Sequence, residues 1–293
     1  MIVVGCYFGI TPWNMERLSI DESDLSYAIL LFGIFFIISN QIAGRILVTK
    51  YGTKLVMTLA FPIVTFSALL TVISSSYFYF LLTFISGGIG WGASGPIGGI
   101  HSQLIERHFK KIITPYYAMG FNLGILLGGG LAGLIMRNNY EPYISFTILS
   151  FLSILVSSFV YSYGLPRDLD FKGEGEKFKL PETKVLLFGF LLFFVFGSGG
   201  IIMDWSTLWL SKDLNTPLYL ASMGLIFFSI GGIFANLFSN SLINLFTEKV
   251  VGCHFVMIGA AIMFLSLLTN NFYIILGVLC IYGSVSYTHL TLP

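Results

Sequence analysis

Charged residues are scarce in this chain. Asp, Glu, Lys and Arg together make up 10% of its 293 residues, whereas a soluble domain averages about 25%. Hydrophobic residues make up 56%, and the mean hydropathy is +0.86. This composition excludes an ordinary soluble protein and predicts a multi-pass protein of the lipid bilayer. The net charge of +1 gives no reason to expect a nucleic-acid partner.

Cysteine is also rare, and so are the residue clusters of catalytic sites. Cys6, Cys253 and Cys280 lie far apart in apolar runs, so neither a disulfide framework nor a metal site is indicated. The sequence offers no nucleophile–base pair, metal-ligand spacing or polar catalytic loop. We therefore expect no enzymatic activity and no cofactor. A cleavable signal peptide is not expected either, because the start of the chain lacks a basic region and a small-residue cleavage site.

Long apolar runs are what the sequence does contain. A membrane helix needs roughly 20 apolar residues, and we identify ten candidate spans, of which the first and last are short. They cover residues 1–13, 25–48, 55–74, 77–104, 114–136, 142–164, 184–210, 217–245, 250–269 and 272–284.

The loops between these spans alternate in charge. Twelve of the fifteen Lys and Arg residues fall on one side, and only Arg17, Arg137 and Lys212 fall on the other. This bias predicts that the twelve-residue side is cytoplasmic. The longest polar stretch, residues 165–183, lies on that side and follows the sixth span. It predicts a six-helix half at 1–164, a cytoplasmic linker at 165–183 and a partial second half at 184–284.

The two predicted halves share short patterns. "WNMERLS" (13–19) and "WSTLWLS" (205–211) have the form W-x4-L-S at the outer ends of spans one and seven. "LVTKYGTKLV" (47–56) and "LINLFTEKVV" (242–251) align at the inner ends of spans two and eight. Together they favour a duplicated six-helix unit. Repeated halves are typical of secondary transporters, whose solute site lies between them.

This layout resembles the major facilitator superfamily. The most specific piece is "AGRILVTKYGTK" (43–54), the predicted gating loop. Gly44, Lys50, Gly52 and Lys54 fit the family pattern there, Arg45 adds a positive charge, and Thr49 occupies the acidic position. The resemblance implies that this loop acts as a gate latch. The W-x4-L-S ends and "DWSTLWL" are most similar to a bacterial branch near the fucose permeases.

The resemblance also implies an all-α membrane fold and a function. We expect a secondary transporter in the cell (inner or plasma) membrane that moves a small organic solute by alternating access. A sugar is the candidate solute, and protons are the candidate coupling ion. Spans one, four, seven and ten would line the cavity, and we expect a monomer. The alternative from another class is a membrane sensor or scaffold that binds a solute without transporting it.

The resemblance covers nearly the whole chain, but such carriers normally have about twelve spans. The end "VSYTHLTLP" (285–293) breaks in composition from what precedes it, and span one begins abruptly at Met1. We therefore expect a fragment with a non-native tail at 285–293.

Asp204 is the acidic residue that lies deepest in an apolar span. A charge at the centre of a membrane helix costs about 2.5–3.5 kcal/mol on insertion scales. Asp204 is therefore a candidate solute- or proton-binding carboxylate. Alternatively, it lies near the outer interface, where it caps a helix break after Gly197–Gly200 or pairs with a neighbouring helix. Those glycines predict either a bend in span seven or close helix packing.

Span four carries a second set of candidate residues. Trp91, Ser94, Gly98 and His101 follow at helical spacing and so share one face. That face could line a cavity in which Trp91 stacks on a ring-shaped solute, or Trp91 could face lipid or pack. His101 could titrate near neutral pH, or it could be satisfied locally near the cytoplasmic interface, which we favour.

For the remaining candidates we favour a structural role over contact with a solute. In span five, Gly120, Gly124, Gly128, Gly129 and Gly133 form G-x-x-x-G steps, which predict a face for close helix packing. Four amide side chains are candidates to contact the solute or to hydrogen-bond a neighbouring helix. They are Asn122 beside that face, Asn40 and Gln41 in span two, and Asn236 in span eight. Trp13 and Trp205 are candidate cavity lids or interfacial tryptophans.

Overall fold

The computed structural model describes residues 1–111, 113–170, 182–246 and 254–286. Every regular element in these ranges is a helix, so the predicted all-α fold class is confirmed. In chain order the helices are α1 (Ile2–Gly9), α2 (Thr11–Leu18), α3 (Glu22–Ile42), a π-helical segment (Ala43–Leu47), α4 (Val48–Tyr51), α5 (Thr53–Ile73), α6 (Tyr77–Phe109), α7 (Thr114–Arg137), α8 (Pro142–Tyr163), a 3-10 turn (Arg167–Leu169), α9 (Thr183–Lys212), α10 (Leu218–Ala221), α11 (Met223–Phe246), α12 (Val256–Ser266) and α13 (Phe272–Ser286).

Six helical stretches in the described ranges are long and apolar enough to cross a bilayer. They are Glu22–Tyr51, Thr53–Ile73, Tyr77–Phe109, Thr114–Arg137, Pro142–Tyr163 and Leu218–Phe238. Each begins and ends within a few residues of a predicted span, except Leu218–Phe238, which lies inside a longer helical region. The 3.6-residue helix closes all backbone hydrogen bonds within the segment, which is the condition for crossing hydrocarbon.

Large apolar side chains cover the outer surfaces of these helices. In α8, Leu155 is 67% exposed and Phe159 is 63% exposed, and Ile37 of α3 is 62% exposed. Such a surface would aggregate in water, but it is matched to lipid chains. The pattern is therefore what a bilayer protein requires.

The chain forms two compact units. Unit 1 is Met1–Trp13, Pro115–Tyr140 and Lys179–Pro293, and unit 2 is Asn14–Thr114 and Glu141–Phe178. Each unit is therefore assembled from separate stretches of the chain. The sequence-based division into halves at the 165–183 linker is a division along the chain, and it stays a prediction.

Unit 2 is built around α5 and α6, with α3 packed on α6 and α8 packed on α5. Polar contacts join these helices inside the apolar unit. Thr71 of α5 donates to the hydroxyl of Thr83 in α6 at 2.7 Å, and Ser150 of α8 donates to the carbonyl oxygen of Thr65 in α5 at 3.0 Å. Bonds of this kind help to hold helices together where lipid removes the hydrophobic driving force.

Unit 1 contains α1, nearly all of α7, and α9 to α13. Its core includes Leu210 of α9, Phe228 of α11 and Leu279 of α13, all of which are fully buried. Glycines let α11 and α13 approach each other closely. A Cβ on Gly231 would meet backbone atoms of Cys280, and one on Gly283 would meet backbone atoms of Phe228.

The glycines of α7 lie largely as predicted. A Cβ at Gly124 would meet Met1, the residue before α1, and one at Gly128 would meet α1 itself. A Cβ at Gly129 or Gly133 would meet the region of Tyr219–Ile226. These four positions confirm the predicted packing face. Gly120 differs, because nothing lies within 4 Å of a Cβ placed there.

The glycines of α9 differ from the predicted close packing. The helix runs without interruption from Thr183 to Lys212 through Gly197, Gly199 and Gly200. No described atom lies within 4 Å of a Cβ placed on any of the three. Intrahelical hydrogen bonds thus carry α9 through these glycines without a break. Asp204 consequently does not cap a helix break. The predicted close packing is wrong among the described residues, and the predicted bend stays a prediction.

Candidate functional site

Asp204 lies within α9, and its neighbours on the helix are apolar or bulky. The carboxylate is half-buried, as are the side chains of Met203 and Trp205, and Ile202 is buried. A carboxylate in such surroundings requires a polar partner or a proton. This position suits a group that binds a polar solute or a cation.

Tyr7 of α1 is a polar residue that interacts electrostatically with Asp204 within unit 1. The carboxylate acts electrostatically on the phenol, and α1 packs on α9. A phenolic hydroxyl can donate to a carboxylate or to a solute oxygen. Tyr7 and Asp204 are 197 positions apart in the sequence, so no local pattern predicts their pairing.

Three hydroxyls in α9 and α11 are buried without a hydrogen-bond partner among the described residues. They belong to Ser206, Thr207 and Ser229, each at most 3% exposed. Hydroxyls in membrane helices usually donate to a carbonyl one turn back, as Ser67 does to Ile63 at 2.7 Å. Thr207 follows Asp204 by three residues and so shares its face of α9. These hydroxyls are therefore available to a solute or an ordered water.

The two candidate asparagines of unit 1 are both buried. Asn122 of α7 is 0% exposed, and its Nδ2 donates to the carbonyl oxygen of Ala118 at 3.2 Å. Its Oδ1 has no hydrogen-bond partner in the described part of the chain. Asn236 of α11 donates through Nδ2 to the carbonyl oxygen of Gly232 at 2.8 Å. Each amide thus anchors to its own helix, and the Oδ1 of Asn122 remains available as an acceptor.

The other candidates from spans one and two lie in more open positions. Trp13 at the start of α2 is half-buried, as is Asn40 of α3, whereas Gln41 is exposed. The structure groups Trp13 with unit 1, and Asn40 and Gln41 with unit 2.

The candidate face of α6 is mostly packed inside unit 2. Ser94, Gly98 and His101 are buried, and Trp91 is half-buried. The Oγ of Ser94 donates to the carbonyl oxygen of Trp91 at 3.5 Å. His101 lies at the end of α6 that is predicted to be cytoplasmic, and its Nδ1 is 2.8 Å from the Oγ1 of Thr53.

The predicted gating loop has an ordered backbone. Gly44 and Arg45 lie in the π-helical segment, and Lys50 extends over the ring of Tyr51, 5.1 Å from its centroid. Gly52 separates α4 from α5 with a φ of +87°, a conformation that glycine adopts at low cost. The Nζ of Lys54 donates to the carbonyl oxygen of Gly164 at 3.5 Å.

A carboxylate from a distant part of the sequence accepts hydrogen bonds from this loop. Asp170 is 5% exposed and accepts two hydrogen bonds from Thr53, the first residue of α5. The sequence offered no signal for it, because Asp170 falls in a polar stretch 117 residues further on. No group of three His, Cys, Asp or Glu in the described ranges could hold a metal ion.

Comparisons with known proteins agree with this architecture. The family model of the Major Facilitator Superfamily matches residues 1–291. An uncharacterised MFS-type transporter of Yersinia pestis is 21% identical over 237 residues, which are 80% of this chain and 61% of that protein. The chain thus spans about three-fifths of the length of this relative.

Solved structures show the same fold. The inward-facing, occupied structure of a bacterial homologue of the human lysosomal transporter Spinster has a TM-score of 0.61 at 14% identity. It is matched over 99% of this chain and 69% of its own. The nucleoside transporter NupG has a TM-score of 0.63 at 13% identity, over 98% of this chain and 77% of its own.

These likenesses confirm the major-facilitator fold and the multi-pass membrane prediction. The family consists of transporters and not of enzymes, so the expectation that the chain is not an enzyme is also confirmed. Since the family model matches nearly every residue, the chain belongs to the Major Facilitator Superfamily of transporters.

Proposed function

We propose that the protein is a secondary transporter that moves a small organic solute across the cytoplasmic membrane by alternating access. The observation that carries this proposal is the half-buried carboxylate of Asp204 in α9, beside Tyr7 of α1. A charge retained within an apolar helix is costly, and in transporters such groups mark solute or ion paths. Asp204 is thus the proposed solute- or proton-binding group.

The proposed solute is neutral and rich in hydroxyls, with a sugar as the first candidate. The buried hydroxyl of Thr207 shares the face of Asp204 on α9, and neither it nor the nearby hydroxyl of Ser206 has a partner among the described residues. Hydroxyls both donate and accept hydrogen bonds, which suits a solute that does the same. The likeness of "DWSTLWL" to the fucose-permease branch supports the same class.

The proposed coupling ion is the proton. A carboxylate that binds one proton becomes neutral and crosses between two states of the site without carrying charge through an apolar region. A carrier of this kind would accumulate its solute against a gradient only while Asp204 can ionise.

The test is uptake of radiolabelled L-fucose, followed by a panel of other monosaccharides, into proteoliposomes that contain the chain. We expect Asp204→Asn to abolish accumulation driven by a pH gradient while it reduces solute exchange less. Asp213→Asn is the matched control, because Asp213 is exposed just beyond the end of the same helix. That control should accumulate solute as the unchanged chain does.

Each outcome separates the parts of the proposal. Unchanged accumulation in Asp204→Asn would remove the coupling role. Uptake that only equilibrates in the unchanged chain would indicate facilitated diffusion. Binding of a monosaccharide without flux would favour a sensor over a transporter, and no binding of any monosaccharide would exclude the sugar class.

A further inference from the structure

Residues that follow α8 form hydrogen bonds to the predicted gating loop on both sides of Gly52. Asp170 holds the start of α5, and Arg167 holds the end of α4. Both belong to a short segment, Leu165–Asp170, which we call the clasp. All of these residues lie in unit 2.

The first contact caps the N-terminus of α5. The backbone N–H of Thr53 donates to the Oδ2 of Asp170 at 2.7 Å, and the Oγ1 of Thr53 donates to the Oδ1 at 2.7 Å. The N-cap residue, Gly52, has no side chain with which to cap this helix end. Since a helix N-terminus carries a partial positive charge, the buried carboxylate of Asp170 supplies both the acceptor and the opposite charge.

The second contact caps the C-terminus of α4. The guanidinium of Arg167 donates to the carbonyl oxygen of Thr49 at 2.6 Å and to that of Val48 at 3.5 Å. These carbonyls belong to the last turn of α4, where that of Val48 also accepts from the backbone N–H of Gly52 at 2.8 Å and the intrahelical donors then end. A cation at a helix C-terminus is favourable for the same reason as an anion at the N-terminus.

His101 adds α6 to this hydrogen-bond network. The hydroxyl of Thr53 has one hydrogen, which it donates to Asp170, so its oxygen is left as an acceptor. His101 must then donate its Nδ1–H to that oxygen, 2.8 Å away. One buried carboxylate thereby fixes the relative positions of the clasp, α5 and α6.

Gly52 shows that the loop and the clasp fit closely. A Cβ at this residue would collide with the Oδ2 of Asp170 and would lie 3.0 Å from the Nη1 of Arg167. The φ of +87° disfavours any other residue independently. The backbone conformation of the loop and its close contact with the clasp therefore both require glycine at position 52.

We propose that Asp170 is a positioning residue of the gating loop and supplies, from beyond α8, the carboxylate that the sequence lacks at Thr49. The clasp holds α4 and α5 in the observed arrangement, and its release frees the loop to rearrange. The consequence for transport rests on the proposed function, whereas the consequence for the loop does not.

Hydrogen exchange tests the structural part without any solute. In the reconstituted chain, we expect Asp170→Asn to speed amide exchange at Thr53–Val56 by about tenfold or more, the range for a lost hydrogen bond to a charged group. Asp168→Asn is the matched control, because Asp168 is exposed in the same turn. Unchanged exchange in Asp170→Asn, or an equal increase in the control, would overturn the proposal.

Variants of Thr53 keep the test decisive if Asp170→Asn fails to fold. Thr53→Val removes the hydroxyl that joins Asp170 and His101, and Thr53→Ser retains it. We expect faster exchange at residues 54–56 in the valine variant and unchanged exchange in the serine variant. Equal exchange in the two variants would show that the hydroxyl does not hold the clasp.

Transport kinetics separate positioning from mere stability. With a monosaccharide that the unchanged chain transports, we expect Asp170→Asn to change Vmax several-fold with KM within about twofold, because a gating residue alters the rate of opening and not the contacts to solute. A changed KM with an unchanged Vmax would contradict this role. If no monosaccharide is transported by the unchanged chain, the proposed sugar carrier fails while the exchange result still decides the clasp.

Discussion

The hydroxyl of Ser39 in α3 donates a hydrogen bond of 2.6 Å to the carbonyl oxygen of Ile89 in α6. The two helices lie this close because Gly88 and Gly92 of α6 flank the contact. A Cβ at Gly88 would meet the backbone of Phe32, and one at Gly92 would meet the backbone of Phe36. Two glycines and one serine thus set the spacing of α3 and α6.

The first prediction concerns this spacing. Gly92→Ala should destabilise the protein by about 1–3 kcal/mol, because the added methyl forces the backbones of α3 and α6 apart. Gly99→Ala in the same helix is the control, since nothing lies within 4 Å of its Cβ, and it should be neutral or slightly stabilising. Thermal unfolding in detergent measures both. A similar loss in the two variants would show that the close approach of α3 at Gly92 is not the cause of the destabilisation.

The second prediction concerns α11 and α13 of unit 1. Gly283→Ala should lower the unfolding temperature, because its methyl would meet the backbone carbonyl of Phe228. Gly277→Ala, in the same helix with an open Cβ position, should not. If Gly283→Ala were as stable as the unchanged chain, α11 and α13 would have to separate easily.

The third prediction compares a buried hydroxyl that has a hydrogen-bond partner with one that has none among the described residues. Thr71→Val should cost about 1 kcal/mol, because it removes the bond to Thr83. Thr207→Val should leave stability within about 0.5 kcal/mol, because its hydroxyl bonds to no described residue. We expect solute affinity to fall several-fold only in Thr207→Val. Equal affinity in Thr207→Val and the unchanged chain would remove Thr207 from the proposed solute site.

The fourth prediction concerns Arg17, which caps the far end of α5. Its guanidinium donates to the carbonyl oxygen of Ser74 at 2.5 Å and to that of Thr71 at 3.2 Å. Arg17→Ala should destabilise the protein by about 1 kcal/mol, a value reduced by partial exposure of the side chain. Arg137→Ala, exposed at the end of α7, should have a smaller effect. Equal unfolding midpoints for the two alanine variants would show that the cap contributes nothing measurable.

Sequence periodicity and hydropathy predicted the helices well, because a membrane span is a local property of about 20 apolar residues. The predicted span at 55–74 is the helix Thr53–Ile73, and the predicted span at 142–164 is Pro142–Tyr163. The packing role of Gly128 was also predictable, because G-x-x-x-G steps bring small residues onto one helix face.

The polar contacts could not be predicted in this way. Asp170 accepts a hydrogen bond from Thr53, which lies 117 residues earlier in the sequence. Tyr7 interacts electrostatically with Asp204, which lies 197 residues later. Such pairs depend on how helices assemble, which single-helix patterns do not encode. The glycines of α9 show the converse, since a pattern that suggests a bend lies in an uninterrupted helix.

The composition of the two units has a consequence for biosynthesis. Unit 2 ends at Phe178, so all of its segments have been synthesised before α9 is translated. Unit 1 takes Met1–Trp13 from before unit 2, Pro115–Tyr140 from between its two stretches, and Lys179–Pro293 from after it. Helix α1 can pair with α7, through Gly5 and Ile125, as soon as α7 has been synthesised. It must then wait for α9 and α11, so unit 2 is the part of the nascent protein that can complete its packing first.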